Sequence, residues 1–330
     1  MSARSALVTG ITGQDGGYLA EQLAAEGTSV HGLLRPGEVL PTHLQALGDA
    51  VVVHTADLAS ADALEGVLRA SRPDEVYNLA GISSVALSWE QPALTAEVNG
   101  TFVARLLQAV LVEQERRGER VAVVQASSAE VFGGARLAPQ DESTAVSPRS
   151  PYGASKAFAH HLVQVFRSRG LHASNAVLYN HESPRRPVTF VTRKITSTVA
   201  AIAEGRAQEL VLGNLDARRD WGWAPEYVDA LVRLARHDAA DDVVVATGVA
   251  HTVADFVAAA FARVGLQDWQ DWVRTDLAFV RPADAVELVG DPAKALRLLG
   301  WAPRTSFEDL VGRMVEADLQ GPDSLRSPRE

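Results

Sequence analysis

The sequence contains no cysteine. Without thiols the chain forms no disulfide, has no thiolate nucleophile and cannot build a thiolate zinc site, and we expect no metal. It also has no run of roughly 18 uninterrupted apolar residues, so we expect no membrane-spanning helix. No signal-peptide pattern comes before the first apolar run at residues 6–8. These absences predict a cytoplasmic protein.

The sequence has fewer basic than acidic residues. The 330 residues carry 31 Lys plus Arg against 41 Asp plus Glu, for a formal net charge of −10. This balance argues against nucleic acid or an anionic membrane as a partner. Hydrophobic residues make up 47% and charged residues 22%, which is ordinary for a globular protein. The length exceeds what one simple core needs, so one large α/β unit with an additional lobe, or two domains, is expected.

Short apolar segments alternate with helical patterns over most of the chain. The segments are Val-rich and apolar on both faces, which is typical of a parallel sheet covered by helices. The strand candidates are residues 6–9, 29–34, 51–54, 75–79, 121–126, 173–178 and 242–246. The clearest helical pattern runs from Val253 to Val264, with apolar residues three and four apart. This alternation predicts an α/β fold with a doubly wound parallel sheet.

The regular alternation ends near Tyr179, and prolines become frequent beyond it. We therefore expect a smaller lobe over the strand ends. The predicted division assigns residues 1–178 and about 221–250 to a dinucleotide-binding domain. It assigns about 179–220 and 251–320 to the lobe, and 321–330 to a flexible tail.

Three glycines directly follow the first apolar segment, in the pattern Gly10-x-x-Gly13-x-x-Gly16. Glycines at this spacing close a tight turn and let the backbone approach a pyrophosphate at the N-terminus of the next helix. We expect that helix from Tyr18 to about Glu26. A purely structural glycine turn is the alternative, but the strand before the loop and the helix after it favour dinucleotide binding.

Residues after the second and third segments bear on the identity of the cofactor. Arg35 ends the second segment, where an acidic residue would bind the ribose hydroxyls of NAD and an arginine suits the 2′-phosphate of NADP. We expect NADP, while NAD stays open because one arginine near a turn is also compatible with solvation. Asp57, after the third segment, either contacts the adenine or caps the following helix.

Tyr152 and Lys156 are the candidate catalytic pair. They lie four apart, on one face of a helix, so the ammonium would favour the phenolate and allow Tyr152 to act as a base. Ser128 and Glu130 follow the fifth segment, where α/β sheets place their ligand crevice. The hydroxyl would hydrogen-bond a substrate oxygen, and the carboxylate would remove a proton from a carbon next to a ketone. The alternatives are an exposed helix pair for the first two and a local cap or salt bridge for Glu130.

Together these residues resemble the extended short-chain dehydrogenase/reductase family and, within it, the GDP-mannose 4,6-dehydratases. The resemblance covers about residues 6–319 and implies a Rossmann sheet with a smaller C-terminal substrate-binding lobe. The matching motifs are Gly10-Ile-Thr-Gly-Gln-Asp-Gly16 and residues 72–79, 180–186, 190–195, 212–222, 281–282, 290–294 and 299–301.

The resemblance implies two sets of binding residues. The implied cofactor contacts are Gly10, Thr12, Gly13, Gln14, Asp15, Gly16, Arg35, Asp57, Leu58, Leu79, Ala80, Tyr152 and Lys156. The implied contacts to the nucleotide sugar are Ser83, Asn180, Glu182, Arg193, Lys194, Gly213, Arg219, Arg281 and Asp284. The cations of the second set are candidates for holding the diphosphate, with scattered surface charges as the alternative. His181 is expected to be structural.

The resemblance also implies a reaction, in which GDP-mannose becomes GDP-4-keto-6-deoxymannose. Tyr152, assisted by Lys156 and Ser128, would deprotonate the 4-hydroxyl while C4 gives a hydride to NADP⁺. Glu130 would take the C5 proton and assist loss of the C6 hydroxyl as water, after which the hydride returns to C6. The family usually has Thr at Ser128. It also tends to have a second arginine and a longer loop where Pro36 follows Arg35.

Other assignments stay open. A keto-sugar reductase, a 4-epimerase, a dehydratase for another nucleotide sugar and a non-catalytic dinucleotide-binding regulator are the alternatives. The helix around residues 101–111 and the helix after Tyr152 carry more apolar positions than one buried stripe needs. A homodimer through these helices is therefore expected, and a tetramer stays open.

Overall fold

A computed structural model describes residues 4–276 and 287–321. Its centre is a parallel sheet of seven strands in the order β10-β6-β5-β4-β1-β2-β3. The strands of the described residues, in this sheet and outside it, are β1 (Ser5–Thr9), β2 (Ser29–Leu34), β3 (Val51–Thr55), β4 (Glu75–Asn78), β5 (Ala122–Ser128), β6 (His172–Leu178), β7 (Asn180–Glu182), β8 (Leu210–Leu212), β9 (Arg218–Trp223), β10 (Asp242–Val245), β11 (Ala250–Thr252), β12 (Val273–Thr275) and β13 (Glu287–Leu288). All seven predicted strands are confirmed, and so is the doubly wound α/β fold.

Helices cover both faces of this sheet. The helices of the described residues, those of the lobe included, are α1 (Gln14–Ala25), α2 (Thr42–Gln45), α3 (Ala61–Ser71), α4 (Val85–Glu90), α5 (Pro92–Ala96), α6 (Phe102–Arg117), α7 (Pro151–Ser168), α8 (Val191–Ala203), α9 (Ala224–Arg236), α10 (Val253–Arg263), α11 (Ala293–Leu299) and α12 (Phe307–Leu319). Val8 and Val124 lie in one core with α1 and α9. Leu7 and Val123 lie in the other core with α3, α6 and α7. Because successive strand residues face opposite sides, each central strand serves both cores, which explains its continuous apolar sequence.

Two sequence-based helix boundaries can be compared with the structure. The helix predicted from Val253 is confirmed by α10, which ends at Arg263. The start predicted for the first helix at Tyr18 is wrong, because α1 begins at Gln14, directly after the extended residue Gly13. The glycine loop is therefore shorter than expected, and the helix N-terminus lies closer to the end of β1.

In the part of the chain that the structure describes, a smaller lobe is built from short strands and the helices α8, α10 and α12. β9 pairs with β7, β11 and β13, and β8 pairs with β12. Its core includes Ile195 of α8, Trp221 of β9, Phe256 of α10 and Met314 of α12. The chain enters the lobe directly after β6 and again after β10, so the lobe borders the carboxyl ends of central strands.

The segment around α11 packs differently from what the sequence predicted. Ala295, Leu299 and Trp301 were assigned to the lobe, but they pack in the sheet core that contains Leu231 of α9. Trp301 Nε1 also donates a hydrogen bond to the carbonyl of Glu226 at 2.8 Å. In the described ranges no helix is long and apolar enough to cross a membrane.

Candidate active site

The glycine loop joins β1 to α1, and its backbone packs closely against neighbouring backbone atoms. Gly10 has φ +69°, and a Cβ placed there would lie 2.7 Å from the backbone nitrogen of Ala80. A Cβ on Gly16 would lie 2.2 Å from the Gly10 carbonyl oxygen. Only glycine fits at these two positions, and the resulting turn brings the loop backbone to the N-terminus of α1. This cradle fits a dinucleotide pyrophosphate.

The end of β4 lies directly against this loop. The backbone N–H of Leu79 donates to the Thr9 carbonyl, and that of Ala80 donates to Thr9 Oγ1, both at 3.2 Å. The next residues are held by Asn99, whose side-chain amide accepts from Ile82 N–H at 2.8 Å and donates to its carbonyl at 2.9 Å. Asn99 is buried in the π-helical turn Glu97–Thr101 and lies outside the predicted site residues.

Gln14 and Asp15 are tied to the chain that leaves β6. Gln14 Nε2 donates to the His181 carbonyl at 3.2 Å, and Ser183 Oγ donates to Gln14 Oε1 at 2.7 Å. His181 Nε2 lies 2.8 Å from Asp15 Oδ2. Burial opposes a charged imidazole, but the Asp15 carboxylate outweighs it and raises the pKa of His181. A histidine–carboxylate pair therefore joins the glycine loop to the start of the lobe.

Arg186 is a second residue that sequence reasoning left out. Its Nε lies 3.3 Å from Glu182 Oε2, and its guanidinium stacks 3.9 Å from the Phe190 ring centroid. The positive charge favours the ionised forms of both Asp15 and Tyr152. The motif at residues 180–186 contains Arg186, but its sequence gives no sign of a long-range approach to the glycine loop.

The four predicted catalytic residues meet where β5 and α7 come together. Ser128 is the last residue of β5, and its hydroxyl accepts from the Glu130 N–H at 3.2 Å and hydrogen-bonds Tyr152. A Cβ on Gly153 would lie 2.7 Å from the Glu130 carbonyl, so the turn that carries Glu130 packs directly on α7. Lys156 Nζ donates to the carbonyl of Ala126, also in β5, at 2.8 Å.

The protonation of the buried pair differs from the expectation. Burial, together with the nearby Glu130 charge, raises the pKa of Tyr152 to about 12, although the Ser128 hydrogen bond opposes this. Burial also lowers the pKa of Lys156 to about 8. The ammonium nitrogen lies 6.0 Å from the Tyr152 ring centroid and is directed to a backbone carbonyl. The predicted lowering of the phenol pKa by Lys156 is therefore wrong for the chain by itself, because desolvation dominates.

The remaining predicted cofactor residues lie at the ends of β2 and β3. Arg35 follows β2, and its side chain is 69% exposed with Nε 3.6 Å from Glu38 Oε2. Asp57 does not cap α3. Its carboxylate accepts from the N–H of Ala59 at 2.9 Å, and Ser60 provides the cap. Leu58 packs at the edge of the second core.

The predicted substrate residues are spread over the lobe and its approaches. Glu182 is buried and accepts from Thr192 Oγ1 at 2.7 Å. Asn180 is half-buried in β7, Gly213 follows β8, and Ser83 is exposed just before α4. Arg281 and Asp284 lie outside the described residues.

The predicted diphosphate cations have different surroundings. Arg193 is buried and paired with Asp318 of α12, and its Nε donates to the Pro184 carbonyl at 3.0 Å. Arg219 is buried in β9 and donates to the carbonyl of Arg218 at 2.7 Å. Lys194 is half-buried in the first turn of α8. Arg193 thus joins α8 to α12, which is a structural contact that the sequence did not indicate.

A tyrosine and a lysine one helical turn apart, facing a serine at a strand end beside a dinucleotide loop, define a short-chain dehydrogenase/reductase. The lobe after β6 makes it an extended member of that class. A family model described as GDP-mannose 4,6 dehydratase matches residues 7–314. The chain belongs to this GDP-mannose 4,6-dehydratase family.

Individual relatives agree with this assignment. The chain is 45% identical to GDP-mannose 4,6 dehydratase 1 of Arabidopsis thaliana, over 96% of this chain and 90% of that protein. It is 40% identical to the human GDP-mannose 4,6 dehydratase, over 96% and 91%. Among solved structures, the UDP-glucose 4-epimerase of Thermus thermophilus in complex with NAD superposes with a TM-score of 0.81 at 26% identity, covering 96% of this chain and 99% of that one.

Proposed function

We propose that this chain is a GDP-mannose 4,6-dehydratase, a hydro-lyase that forms GDP-4-keto-6-deoxymannose in deoxysugar biosynthesis. The observation that carries the proposal is the cluster of Ser128, Glu130 and Tyr152 beside the glycine loop. Oxidation at C4 and elimination across C5 and C6 need two proton-transfer groups next to neighbouring carbons. The Tyr152 phenol and the Glu130 carboxylate provide them, and Ser128 ties their positions together, because its hydroxyl hydrogen-bonds Tyr152 and accepts from the Glu130 backbone N–H.

The protein groups divide the work as follows. Tyr152 takes the proton of the 4-hydroxyl, and Ser128 orients that oxygen. Glu130 then takes the C5 proton, which the new C4 ketone has acidified, and returns it to the departing C6 hydroxyl as water forms. The proton that Tyr152 accepted is finally delivered to C5, which completes the 4-keto-6-deoxy sugar and restores the starting protonation of Tyr152.

A nicotinamide dinucleotide bound there would supply the hydride acceptor for C4 and the hydride donor for C6, so that no net oxidation would result. The residues that would hold it are the glycine loop, Leu79, Ala80, Tyr152 and Lys156. A high pKa for Tyr152 keeps the phenol protonated until positive charge lies close to it. Arg35 supports NADP as the cofactor, and the neighbouring Glu38 supports NAD.

The substrate-binding residues and the roles of the two domains are proposals as well. Asn180, Glu182, Lys194, Gly213 and Arg219 belong to segments of the lobe or its entrance, and they would bind the nucleotide sugar. Residues up to 178 with about 221–250 would hold the dinucleotide. The lobe formed by about 179–220 and 251–320, without the segment around α11, would hold the sugar nucleotide. Cytoplasmic location and a homodimer remain predictions.

The test measures the transfer of deuterium from C4 to C6 of the sugar. It also identifies the step of the reaction at which each variant stops. The wild-type protein should convert GDP-mannose carrying deuterium at C4 into a 4-keto-6-deoxy product with deuterium at C6. Tyr152→Phe should lose both oxidation and water loss, by roughly 10²–10⁴-fold. Glu130→Gln should still oxidise C4 and accumulate reduced nicotinamide, because only the C5 step lacks its base.

The matched control is Glu90→Gln, an exposed carboxylate on α4, which should retain full turnover. Failure of the wild type to release water from GDP-mannose would reject the proposal. Net consumption of reduced cofactor with a keto-sugar would instead identify a reductase, and a C4-inverted product an epimerase.

A further inference from the structure

A tight turn after β2 folds a carboxylate back onto the glycine loop. The Glu38 N–H donates to the Arg35 carbonyl at 3.0 Å, with Pro36 and Gly37 between them. Gly37 has φ +83°, so proline followed by a left-handed glycine forms a type II turn. This turn reverses the chain within four residues and returns the Glu38 side chain toward β1.

The Glu38 carboxylate bridges the two parts of the structure that meet at the adenosine end of a dinucleotide site. Oε1 accepts from Thr12 Oγ1 at 2.7 Å, inside the glycine loop. Oε2 accepts from the backbone N–H of Arg35 at 3.0 Å, directly after β2. In doubly wound nucleotide-binding folds an acidic side chain at the end of this strand binds the ribose 2′-hydroxyl, whereas an arginine accommodates a 2′-phosphate. Here the acid comes from three residues beyond the strand-end arginine.

The charge that faces the glycine loop is the negative charge of Glu38. Partial burial opposes ionisation, but the hydrogen bonds from Arg35 N–H and Thr12 lower the pKa of Glu38. Its side chain is 25% exposed, whereas that of Arg35 is 69% exposed. The arginine is thus the better solvated and better screened partner, whereas the carboxylate is held by two hydrogen bonds.

We propose that Glu38 selects the adenosine ribose of the cofactor and that this protein binds NAD in preference to NADP. The carboxylate can accept a hydrogen bond from a free 2′-hydroxyl, and it repels a 2′-phosphate at the same place. This inference rests on the proposed function, because it concerns the dinucleotide that the dehydratase uses. It departs from the expectation of NADP that Arg35 alone suggests.

Calorimetric titration of the full chain, freed of bound cofactor, with NAD⁺ and NADP⁺ tests the proposal. The wild type should bind NAD⁺ more tightly. Glu38→Gln keeps the acceptor for Thr12 but removes the charge. It should improve the NADP⁺ affinity relative to NAD⁺ by about tenfold or more, as expected for one removed like-charge contact. Asp49→Asn is the matched control, since it removes an exposed carboxylate of the same connection and should leave the ratio unchanged.

Arg35→Leu, made in the wild type and in Glu38→Gln, tests whether Arg35 binds the 2′-phosphate once the Glu38 charge is removed. In Glu38→Gln the freed arginine should bind the 2′-phosphate, so the double variant should lose the gained NADP⁺ affinity. Tighter NADP⁺ binding by the wild type, with an unchanged ratio in Glu38→Gln, would overturn the inference while leaving the dehydratase proposal intact. Binding of neither dinucleotide would overturn both. Thermal unfolding of each variant shows whether a changed affinity reflects a folded protein.

Discussion

At the scale of single residues, the site contains an ionisable side chain that destabilises the fold. Lys156 is 6% exposed, and its ammonium donates a hydrogen bond to a neutral carbonyl, that of Ala126. Burial lowers the pKa of Lys156 from 10.5 to about 8. At about 1.4 kcal/mol per pKa unit this corresponds to roughly 3 kcal/mol of lost stability near neutral pH. Buried groups with such shifted pKa values are concentrated at functional sites.

Lys156→Met should therefore stabilise the protein at pH 7, by about 2 kcal/mol once loss of the hydrogen bond is subtracted. Between pH 8 and about 10.4 the unfolded state holds a proton that the folded state has released, so wild-type stability rises through this window. The advantage of the variant should shrink over the same range. Urea unfolding at pH 7 and pH 10 measures both values.

Lys294→Met is the control for this substitution. Lys294 Nζ also donates to a carbonyl, that of Asp242, and pairs with Asp241 at 2.8 Å. Its replacement should be neutral or slightly destabilising at both pH values. A Lys156→Met protein that is less stable than the wild type at pH 7 would show that the ammonium makes a net favourable contribution.

Sequence patterns predict local features of the site better than long-range ones. The glycine loop and the pair Tyr152 and Lys156 follow from spacing along one element, and the structure brings these residues to one place. The contacts of Asp15 with His181 and of Thr12 with Glu38 join residues that no periodicity relates. The high pKa of Tyr152 was also missed, because desolvation depends on the whole surrounding fold.

At the scale of elements, one carboxylate joins the lobe to the sheet. Asp220 of β9 is fully buried. It accepts hydrogen bonds from Thr247 N–H at 2.9 Å, Thr247 Oγ1 at 2.6 Å, Gly248 N–H at 2.9 Å and Gly290 N–H at 3.3 Å. These donors belong to the turn after β10 and the segment after β13. Both oxygens of the carboxylate are needed to satisfy them.

Asp220→Asn should destabilise the protein by about 2–4 kcal/mol. One carboxylate oxygen becomes an NH₂ group, which cannot accept a hydrogen bond, so the backbone N–H groups that face it lose their acceptor. Asp229→Asn on α9 is the matched control. Asp229 forms a half-exposed pair with Arg233, so its loss should cost less than about 1 kcal/mol. Chemical denaturation measures both differences. Equal losses in the two variants would contradict the role assigned to Asp220.

The central strands were predictable from sequence, whereas the lobe strands were not. β5 extends to Ser128 beyond the predicted residue 126, but its core was identified by an apolar run. β7, β8 and β11 have three residues each, too few to show a period. Their pairing with β9 or β12 is set by tertiary packing and by contacts such as those of Asp220. The resemblance implied a Rossmann sheet, whereas the strand order and the lobe topology required the structure.

At the scale of the whole molecule, the helices α4 to α7 leave an apolar surface exposed. Trp89, Leu94 and Val112 are 57%, 47% and 37% exposed. Phe158 and Val165 on α7 are 51% and 54% exposed. The last two lie seven residues apart and therefore on one face of the helix. Exposed apolar side chains on neighbouring packed helices are typical of a protein–protein interface, and α6 and α7 are the helices for which the sequence predicts a homodimer.

The double substitution Phe158→Glu and Val165→Glu should convert the dimer into a folded monomer. Two carboxylates at the centre of an interface that buries about 800 Å² per partner remain unpaired and lose their hydration on association. Sedimentation velocity over a range of concentrations measures the change, and thermal unfolding confirms that the monomer is folded. Leu296→Glu is the control, since Leu296 is 57% exposed on α11, outside this surface, and should leave the mass unchanged. A wild type that sediments as a monomer would reject the dimer. A tetramer that the double variant reduces to dimers would place the α4 to α7 surface at one of two interfaces.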